Sequence, residues 1–255
     1  MIHRNTPGCR LARRTILAAA AVASIAAGTR GASAASVAPG ASIAALQQDG
    51  ATRTIYFVRH GQYDHADTAD ADVGKHLVPL GVAQARLTGA RLRGLPVEIT
   101  SLTSSTMTRA RETALVIGEE FPELERVQSR LLRECTPTTW RADIMEDLEP
   151  GEAEACESQL ESAFAEYFVP SPGGERHDII VAHGNVIRYF VTRVLGVDPH
   201  SWLVMSVGNG SITIVRIRSD GRMKLLAVGD MGHLPPNMQS GFSPNAGPLV
   251  VPGED

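Results

Sequence analysis

The sequence predicts an α/β fold: a three-layer sandwich whose mostly parallel sheet has helices on both faces and ends in a C-terminal β-hairpin. Three observations predict it. Two continuous apolar runs, "TIYFV" (54–58) and "DIIVA" (178–182), are typical of strands buried on both faces. Segments with helical periodicity alternate with these runs, as in parallel sheets. The alternating "SITIVRI" (211–217), a turn at "SDG" and the run "MKLLAV" (223–228) then form a hairpin signature.

Four helices are expected between and after these strands. The first begins at Pro79, since proline is favoured in the first turn, and ends at Gly94. The second follows a weak strand at 98–100 and is stopped by Pro122. Apolar stripes at three- and four-residue spacing predict the other two. Their members are Ala153, Cys156, Leu160, Ala163, Phe164 and Tyr167 for the third helix, and Val186, Phe190, Val191 and Val194 for the fourth, which spans about 185–195.

Length and charge bound the class of protein. The chain has 255 residues, 43% hydrophobic and 20% charged, which predicts one ordinary soluble domain, placed at 53–236. Residues 237–255 are rich in Pro, Gly and Asn and are expected to form an extended tail. Beyond residue 34 the chain has 19 basic and 28 acidic side chains, a net charge of −9. Because nucleic-acid affinity rests on many basic contacts to phosphates, we expect no nucleic-acid partner.

The N-terminus predicts export. Arg13 and Arg14 precede the short apolar stretch "TILAAAAVASIAAG", and residues 32–34 offer an A-x-A cleavage site. We therefore expect a twin-arginine-type export signal over 1–34, a flexible leader over 35–52, and a periplasmic or secreted protein without stable membrane insertion once the signal is cleaved. A buried N-terminal helix and a retained anchor are the alternatives.

The sequence does not decide whether the two cysteines of the domain are bonded or free. Cys135 and Cys156 are able to form a disulfide in an oxidising compartment. Cys156 also falls on the apolar stripe of a helix, where a buried free thiol is the simpler interpretation. Cys9 lies within the expected signal.

Polar residues follow both apolar strands at the point where each ends. Arg59 and His60 come after the first, and His183 comes after the second; a glycine follows each histidine. In an open α/β sheet, ligands bind beyond the carboxyl ends of the strands. The sequence therefore predicts that the two histidines lie near each other in a binding site.

Two further stretches supply candidate site residues. In "TSSTMTRARET" (103–113), Ser and Thr precede a helix whose free backbone N–H groups suit an anion. Arg109 lies one turn in, and its planar guanidinium matches phosphate, whereas Arg111 is better placed on the solvated face. In "RLLRECTP" (130–137), Glu134 by itself would be an ordinary surface glutamate.

Together these stretches resemble the histidine phosphatase superfamily, with its phosphoglycerate-mutase-like fold. The resemblance implies that His60 is the nucleophile and that Arg59 binds phosphate. It implies that Arg109 is the second phosphate-binding arginine and that His183 is the family's second histidine. Glu134, in a Leu-x-Glu context, matches the general acid.

The resemblance extends to one branch, the mitochondrial phosphoglycerate-mutase-like serine/threonine protein phosphatases. Matching motifs run from about residue 55 to 236: "RHGQY", "PLG-x-x-QA-x-LTG-x-RL", "SS-x-MTRA-x-ET", "LLRE", "H-x-NVIRY" and "NGSIT". Asn185, within the fifth motif, is expected to order the loop after His183 and to join the phosphate-binding set.

The resemblance implies a phosphatase that hydrolyses phosphomonoesters, including phosphoserine or phosphothreonine in proteins, through a phosphohistidine intermediate and without a metal or other cofactor. We expect Arg59, Arg109 and a protonated His183 to surround the phosphoryl oxygens. The partner would be a phosphorylated small molecule or a phosphoprotein, and a homodimer is compatible with the sequence. A phosphoglycerate-type mutase and a catalytically inactive phosphate- or protein-binding module are the alternatives.

The segment "YDHADTADADVGKH" (63–76) is rich in acidic residues and keeps three interpretations. His65 with Asp64 and Asp67 suggests a metal site, although no fixed ligand spacing supports it. The segment is otherwise a solvated loop, or a lid whose aspartates repel polyanionic substrates.

Overall fold

The computed structural model describes residues 51–68, 70 and 73–242. The expected export signal (1–34), most of the expected leader (35–52) and the tail beyond residue 242 lie outside these residues. Every described residue belongs to one compact unit.

A six-stranded sheet forms the centre of the domain. Its order is β3-β2-β4-β1-β5-β6, and β1, β2, β3 and β4 pair in parallel. β5 runs antiparallel to both β1 and β6 and forms the expected C-terminal hairpin. The strands are β1 (Arg53–Arg59), β2 (Ser101–Ser105), β3 (Arg126–Ser129), β4 (Arg176–Ala182), β5 (Ile212–Ile217) and β6 (Met223–Asp230).

Five α-helices accompany the sheet in the described ranges. They are α1 (Pro79–Arg93), α2 (Thr108–Gly118), α3 (Ala142–Met145), α4 (Glu152–Tyr167) and α5 (Gly184–Leu195). The first begins at Pro79 and is capped by Gly94, as predicted. None of the helices in 51–242 that the structure describes is both long and apolar enough to cross a membrane.

The core is divided by the sheet, because successive side chains of a strand point to opposite faces. Ile55 and Phe57 of β1 pack with apolar residues of α4 and α5. Tyr56 and Val58 of the same strand pack with residues of α1 and α2. Both faces of β1 are therefore buried, which confirms the predicted three-layer sandwich.

Two strands of the sheet differ from the sequence-based prediction. The weak strand expected at 98–100 lies at Ser101–Ser105, and β3 at Arg126–Ser129 was not predicted. β2 is polar because its side chains make specific hydrogen bonds: Ser101 donates to Asp178, 2.6 Å away. β3 is a short, exposed edge strand and has no apolar alternation to reveal it.

A disulfide joins Cys135 and Cys156, with the two Cα atoms 5.5 Å apart. It links the irregular segment after β3 to α4. Cys156 is only 3% exposed, in agreement with its place on the apolar stripe of α4. The same residue is bonded and is not a free thiol.

The described part of the tail packs against the domain. Residues Pro236–Met238 form one 3₁₀ turn. Ser240 is buried, accepts a hydrogen bond from Gln84 Nε2 at 2.9 Å and donates to Asn209 Oδ1 at 3.2 Å. These contacts bring the chain beyond β6 back to the carboxyl end of β1.

Candidate active site

The carboxyl ends of β1 and β4 lie side by side. The two strands are parallel neighbours, with Arg59 opposite Ala182. The residue after each is a histidine, and the ring centroids of His60 and His183 are 5.0 Å apart. Both rings are buried, with exposures of 2% and 0%. The structure thus brings together the two histidines that the strand ends suggested.

The neighbours of His60 fix its tautomer. Nδ1 lies 2.8 Å from the carbonyl oxygen of Gly61, which is able only to accept. Nε2 lies 3.1 Å from Nε of Arg109, which is able only to donate. The proton is therefore on Nδ1, and Nε2 presents a lone pair. Burial, with the nearby charges of His183, Arg59 and Arg109, lowers the pKa of His60 well below its usual value, so the ring is neutral.

Close packing explains the glycine that follows His60. A Cβ on Gly61 would lie 2.4 Å from the carbonyl oxygen of Gly81 in α1. A Cβ on Gly81 would in turn lie 2.0 Å from the carbonyl oxygen of Gln62. The loop after β1 therefore rests directly on the first turn of α1, and this contact holds the His60 backbone in place.

Two arginines flank the histidine pair. Arg109, in the first turn of α2, is 7% exposed, and its Cζ lies 4.8 Å from the ring centroid of Tyr63. Arg59 donates through Nη1 to the carbonyl oxygens of Val207 (2.7 Å) and Gly241 (3.1 Å), while its Nε is buried without a hydrogen-bond partner. Burial lowers the pKa of both guanidiniums, but from so high a value that both stay charged.

His183 is oriented by Ser105 at the end of β2. Its Nε2 lies 2.9 Å from Ser105 Oγ, and this oxygen accepts the backbone N–H of Met107 at 3.2 Å. The Nδ1 atom is buried and has no hydrogen-bond partner. Burial and three nearby arginines lower the pKa of His183 well below its usual value. This lowered pKa favours the neutral ring, whereas the protonated form expected from the sequence would need the charge of a bound phosphoryl group beside it.

Glu134 lies beside the N-terminus of α5. Its Oε1 accepts the backbone N–H of Asn185 at 3.2 Å, and its Oε2 is buried without a partner. Burial raises the pKa of Glu134 despite the opposing effects of Asn185 and of the charges of Arg59, Arg109 and Arg188. A raised pKa makes this carboxyl easier to protonate than an exposed glutamate, and the protonated form is the one that donates a proton.

The Asn185 side chain contacts protein groups around Glu134. Its Nδ2 donates to the carbonyl oxygen of Cys135 at 2.9 Å, and its Oδ1 accepts from Arg188 Nη2 at 2.6 Å. These bonds order the segment that bears Glu134. From the sequence, Asn185 is expected to order the loop after His183, whereas its side-chain amide contacts the segment at Cys135.

Two residues that sequence reasoning missed hold the His60 backbone. Thr113 Oγ1 accepts the N–H of Gly61 at 3.0 Å and donates to the carbonyl oxygen of Arg109 at 2.7 Å. Asn209 Nδ2 donates to the carbonyl oxygen of His60 at 3.0 Å. Only their positions in the sequence could have indicated these residues. Thr113 lies one helical turn after Arg109, and Asn209 is the first residue of the "NGSIT" motif.

A pocket of about 410 Å³ opens beside Arg109. Asp67 and Asp70 in its wall each accept a backbone N–H of their own segment, from His76 and Val73 respectively, at 2.9 Å. Within the described ranges, no group of three His, Cys, Asp or Glu side chains is placed to hold a metal ion. The pocket is lined by Tyr63, Asp67, Thr68, Asp70, Gly74, Lys75, Met107 and Arg109.

The fold and the paired strand-end histidines agree with one family of enzymes. The model of the histidine phosphatase superfamily (branch 1) matches residues 55–178 and 157–230, so the chain belongs to this family. It is similar to the serine/threonine-protein phosphatase Pgam5, mitochondrial, of Caenorhabditis briggsae, with 42% identity over 198 residues. It is also similar to the human mitochondrial PGAM5, with 38% identity over 197 residues.

These alignments cover 73% of this chain in both cases, but only 66% of the nematode protein and 65% of the human protein. Among solved structures, a phosphoglycerate mutase of Plasmodium falciparum matches with a TM-score of 0.52 and 26% identity, over 72% of this chain and 95% of that one. A phosphoglycerate mutase of Bacillus anthracis shares the fold, with a TM-score of 0.57 and 20% identity, over 72% of this chain and 96% of that one.

The names of the relatives contradict the cellular location that the N-terminus predicted. The prediction of a periplasmic or secreted protein is wrong, because the curated relatives are named as mitochondrial proteins. The physical reason lies in composition. Residues 1–34 contain five arginines and no acidic residue, and mitochondrial transit segments share this arginine-rich, acid-poor composition with export signals.

Proposed function

We propose that this chain is a phosphatase that hydrolyses phosphomonoesters through a phosphohistidine intermediate on His60. Family membership and the names of the relatives support the reaction class. One observation supports the covalent step most directly. With the proton of His60 committed to the carbonyl oxygen of Gly61, the lone pair on Nε2 faces the guanidinium of Arg109. A neutral imidazole beside a fixed cation is a nucleophile next to an anion site.

The phosphoryl group would bind between the arginines and the histidines. Its oxygens would replace His60 as the acceptor for Arg109 Nε and would give the buried Arg59 Nε a partner. If Ser105 donates to Nε2 of His183, the proton of His183 lies on Nδ1, the atom without a partner. The neutral ring would then contribute a hydrogen bond to the phosphoryl oxygens, and the arginines would neutralise their charge.

Transfer then proceeds in two steps. A bond forms between His60 Nε2 and phosphorus as the bond to the ester oxygen breaks, and protonated Glu134 gives its proton to the departing oxygen. In the second step, the Glu134 carboxylate removes a proton from water, whose oxygen attacks phosphorus and releases His60 and inorganic phosphate. The raised pKa of Glu134 suits it to both roles.

The test uses an aryl phosphate and His60→Ala. We expect the variant to lose at least about 10³-fold in kcat while it still binds inorganic phosphate, because the arginines remain. The matched control is His200→Ala, which changes a partly exposed histidine in the 3₁₀ turn after α5 and should keep wild-type activity. A His60→Ala variant with wild-type turnover, or a wild-type protein without a phosphorylated His60 after rapid quenching and mass spectrometry, would exclude the mechanism.

For the substrate, we propose phosphoserine and phosphothreonine residues in proteins, because the curated relatives are named as serine/threonine protein phosphatases. The experiment compares kcat/KM for phosphoserine peptides with kcat/KM for sugar, glycerol and nucleoside monophosphates. A preference for the small esters would refute the protein substrate and leave the phosphatase reaction intact.

A further inference from the structure

We propose that α4 positions the candidate general acid: Gln159 and the Cys135–Cys156 disulfide hold Glu134 in place for proton transfer to the leaving group. The inference rests on the proposed function. Gln159 and the two cysteines are positioning residues, because their contacts are with the segment that bears Glu134 and not with the histidine pair.

The segment itself has little regular structure to fix it. The 3₁₀ turn Arg130–Leu132 ends one residue before Arg133, and residues 134–139 belong to no helix or strand. No backbone ladder therefore sets the direction of the Glu134 side chain. Attachments from neighbouring helices must do so instead.

Gln159 supplies the first attachment. Its Nε2 lies 2.9 Å from the carbonyl oxygen of Arg133 and 3.2 Å from that of Leu131. The same nitrogen lies 3.7 Å from Cys135 Sγ. One amide group on α4 thus contacts the chain on both sides of Glu134.

The disulfide supplies the second attachment, and α5 supplies the third. Cys135, the residue next to Glu134, is bonded to Cys156, three residues before Gln159 in α4. On the other side, Asn185 donates to the carbonyl oxygen of Cys135 and to Glu134 Oε1. The acid-bearing segment is held between α4 and α5, and the N–H of Glu134 also lies 3.4 Å from Met107 Sδ at the start of α2. Removal of the Gln159 and disulfide contacts would therefore loosen the segment on its α4 side while the other contacts remain.

Position matters here because the other carboxyl oxygen has no partner. Glu134 Oε2 is buried and makes no hydrogen bond to the described residues, so no contact of its own holds it at the reaction centre. Proton transfer needs donor and acceptor within hydrogen-bond reach. A displacement of about 1 Å typically costs on the order of 10²-fold in rate.

The experiment compares two substrates with different needs for an acid. An aryl phosphate has a good leaving group and needs little protonation, whereas an alkyl phosphate such as phosphoserine needs it most. We expect Gln159→Leu, and separately Cys135→Ser/Cys156→Ser, to lower kcat for the alkyl ester by about 10- to 100-fold. Aryl turnover should change by less than about threefold, and KM should stay constant for both esters because the arginines are untouched.

Two controls separate positioning from general damage. Ser158→Ala changes an exposed neighbour on α4 and should keep the wild-type ratio of alkyl to aryl rates. Treatment of the wild type with dithiothreitol should reproduce the loss, and reoxidation should restore the ratio, so the test survives a variant that fails to fold. In this reduction the dithiol gives two electrons and two protons to the disulfide and becomes a cyclic disulfide itself.

The outcomes are distinct. Equal loss for both esters would mean that α4 supports the whole site, and an unchanged ratio would mean that it does not position Glu134; either result overturns the inference. A wild-type protein that hydrolyses neither ester would refute the proposed function itself, and the inference with it.

Discussion

Removal of the Cys135–Cys156 disulfide should lower the free energy of unfolding of the domain by about 3 kcal/mol. The bond closes a loop with a sequence separation of 21. In the chain-entropy model, a loop of that length restricts the unfolded ensemble by roughly 11 cal/mol/K, which at 25 °C is about 3 kcal/mol. For a domain of this size the change corresponds to a melting temperature lower by about 6 to 12 °C.

The assay is guanidinium or thermal unfolding followed by circular dichroism, with and without dithiothreitol. The Cys135→Ser/Cys156→Ser variant should unfold at the midpoint of the reduced wild type and should not respond to the reductant. Identical midpoints for the oxidised protein, the reduced protein and the variant would refute the reasoning. The same measurement shows the temperature below which rates of the reduced protein report on its folded state.

Three further predictions concern the sheet, the first helix and the acid. Asp178→Asn should destabilise the domain by about 3–5 kcal/mol, because it leaves two arginines beside an uncharged buried partner. Burial raises the pKa of Asp178, but hydrogen bonds and the arginines outweigh this effect, so the pKa is lowered overall. The stabilisation by the ionised carboxylate is complete above the unfolded pKa near 4 and is lost as the pH falls. Urea titrations at pH 7 and pH 3 would detect this loss. Gly81→Ala should cost about 1–3 kcal/mol in calorimetry, since the new Cβ would lie 2.0 Å from Gln62 O, whereas Gly94→Ala, with no atom nearer than 3.5 Å, should be tolerated; equal melting temperatures would contradict this. Turnover of an alkyl phosphate should fall on the alkaline side as Glu134 loses its proton, while aryl turnover persists, and parallel pH profiles would remove Glu134 from the acid role.

The sequence predicted the parts of the fold that depend on burial. β1 and β4 were visible because a strand buried on both faces is apolar at every position, and the long helices were visible through their stripes. The proximity of His60 and His183 followed from the same logic, since the ends of parallel strands meet at one edge. β2 was expected at 98–100 and not at its observed position, because its serines form hydrogen bonds with Asp178 and His183 and give no apolar pattern.

The supporting residues could not be predicted, because their partners are distant in the chain. Gly61 and Thr113 are 52 residues apart, and His60 and Asn209 are 149 apart. No local pattern encodes such pairs. The state of the two cysteines stayed open for the same reason: the apolar face of α4 made a free thiol the simpler interpretation of Cys156, and only the position of Cys135 shows the bond.

Arg59 Nε, His183 Nδ1 and Glu134 Oε2 are buried and make no hydrogen bond to the described protein groups. A buried polar atom without a partner typically costs about 1–3 kcal/mol. A bound oxyanion that forms hydrogen bonds with these atoms would therefore stabilise the folded state by mass action. Binding of such an anion is thus coupled to resistance against unfolding, and we expect the anion-free form to be the one that proteases degrade first.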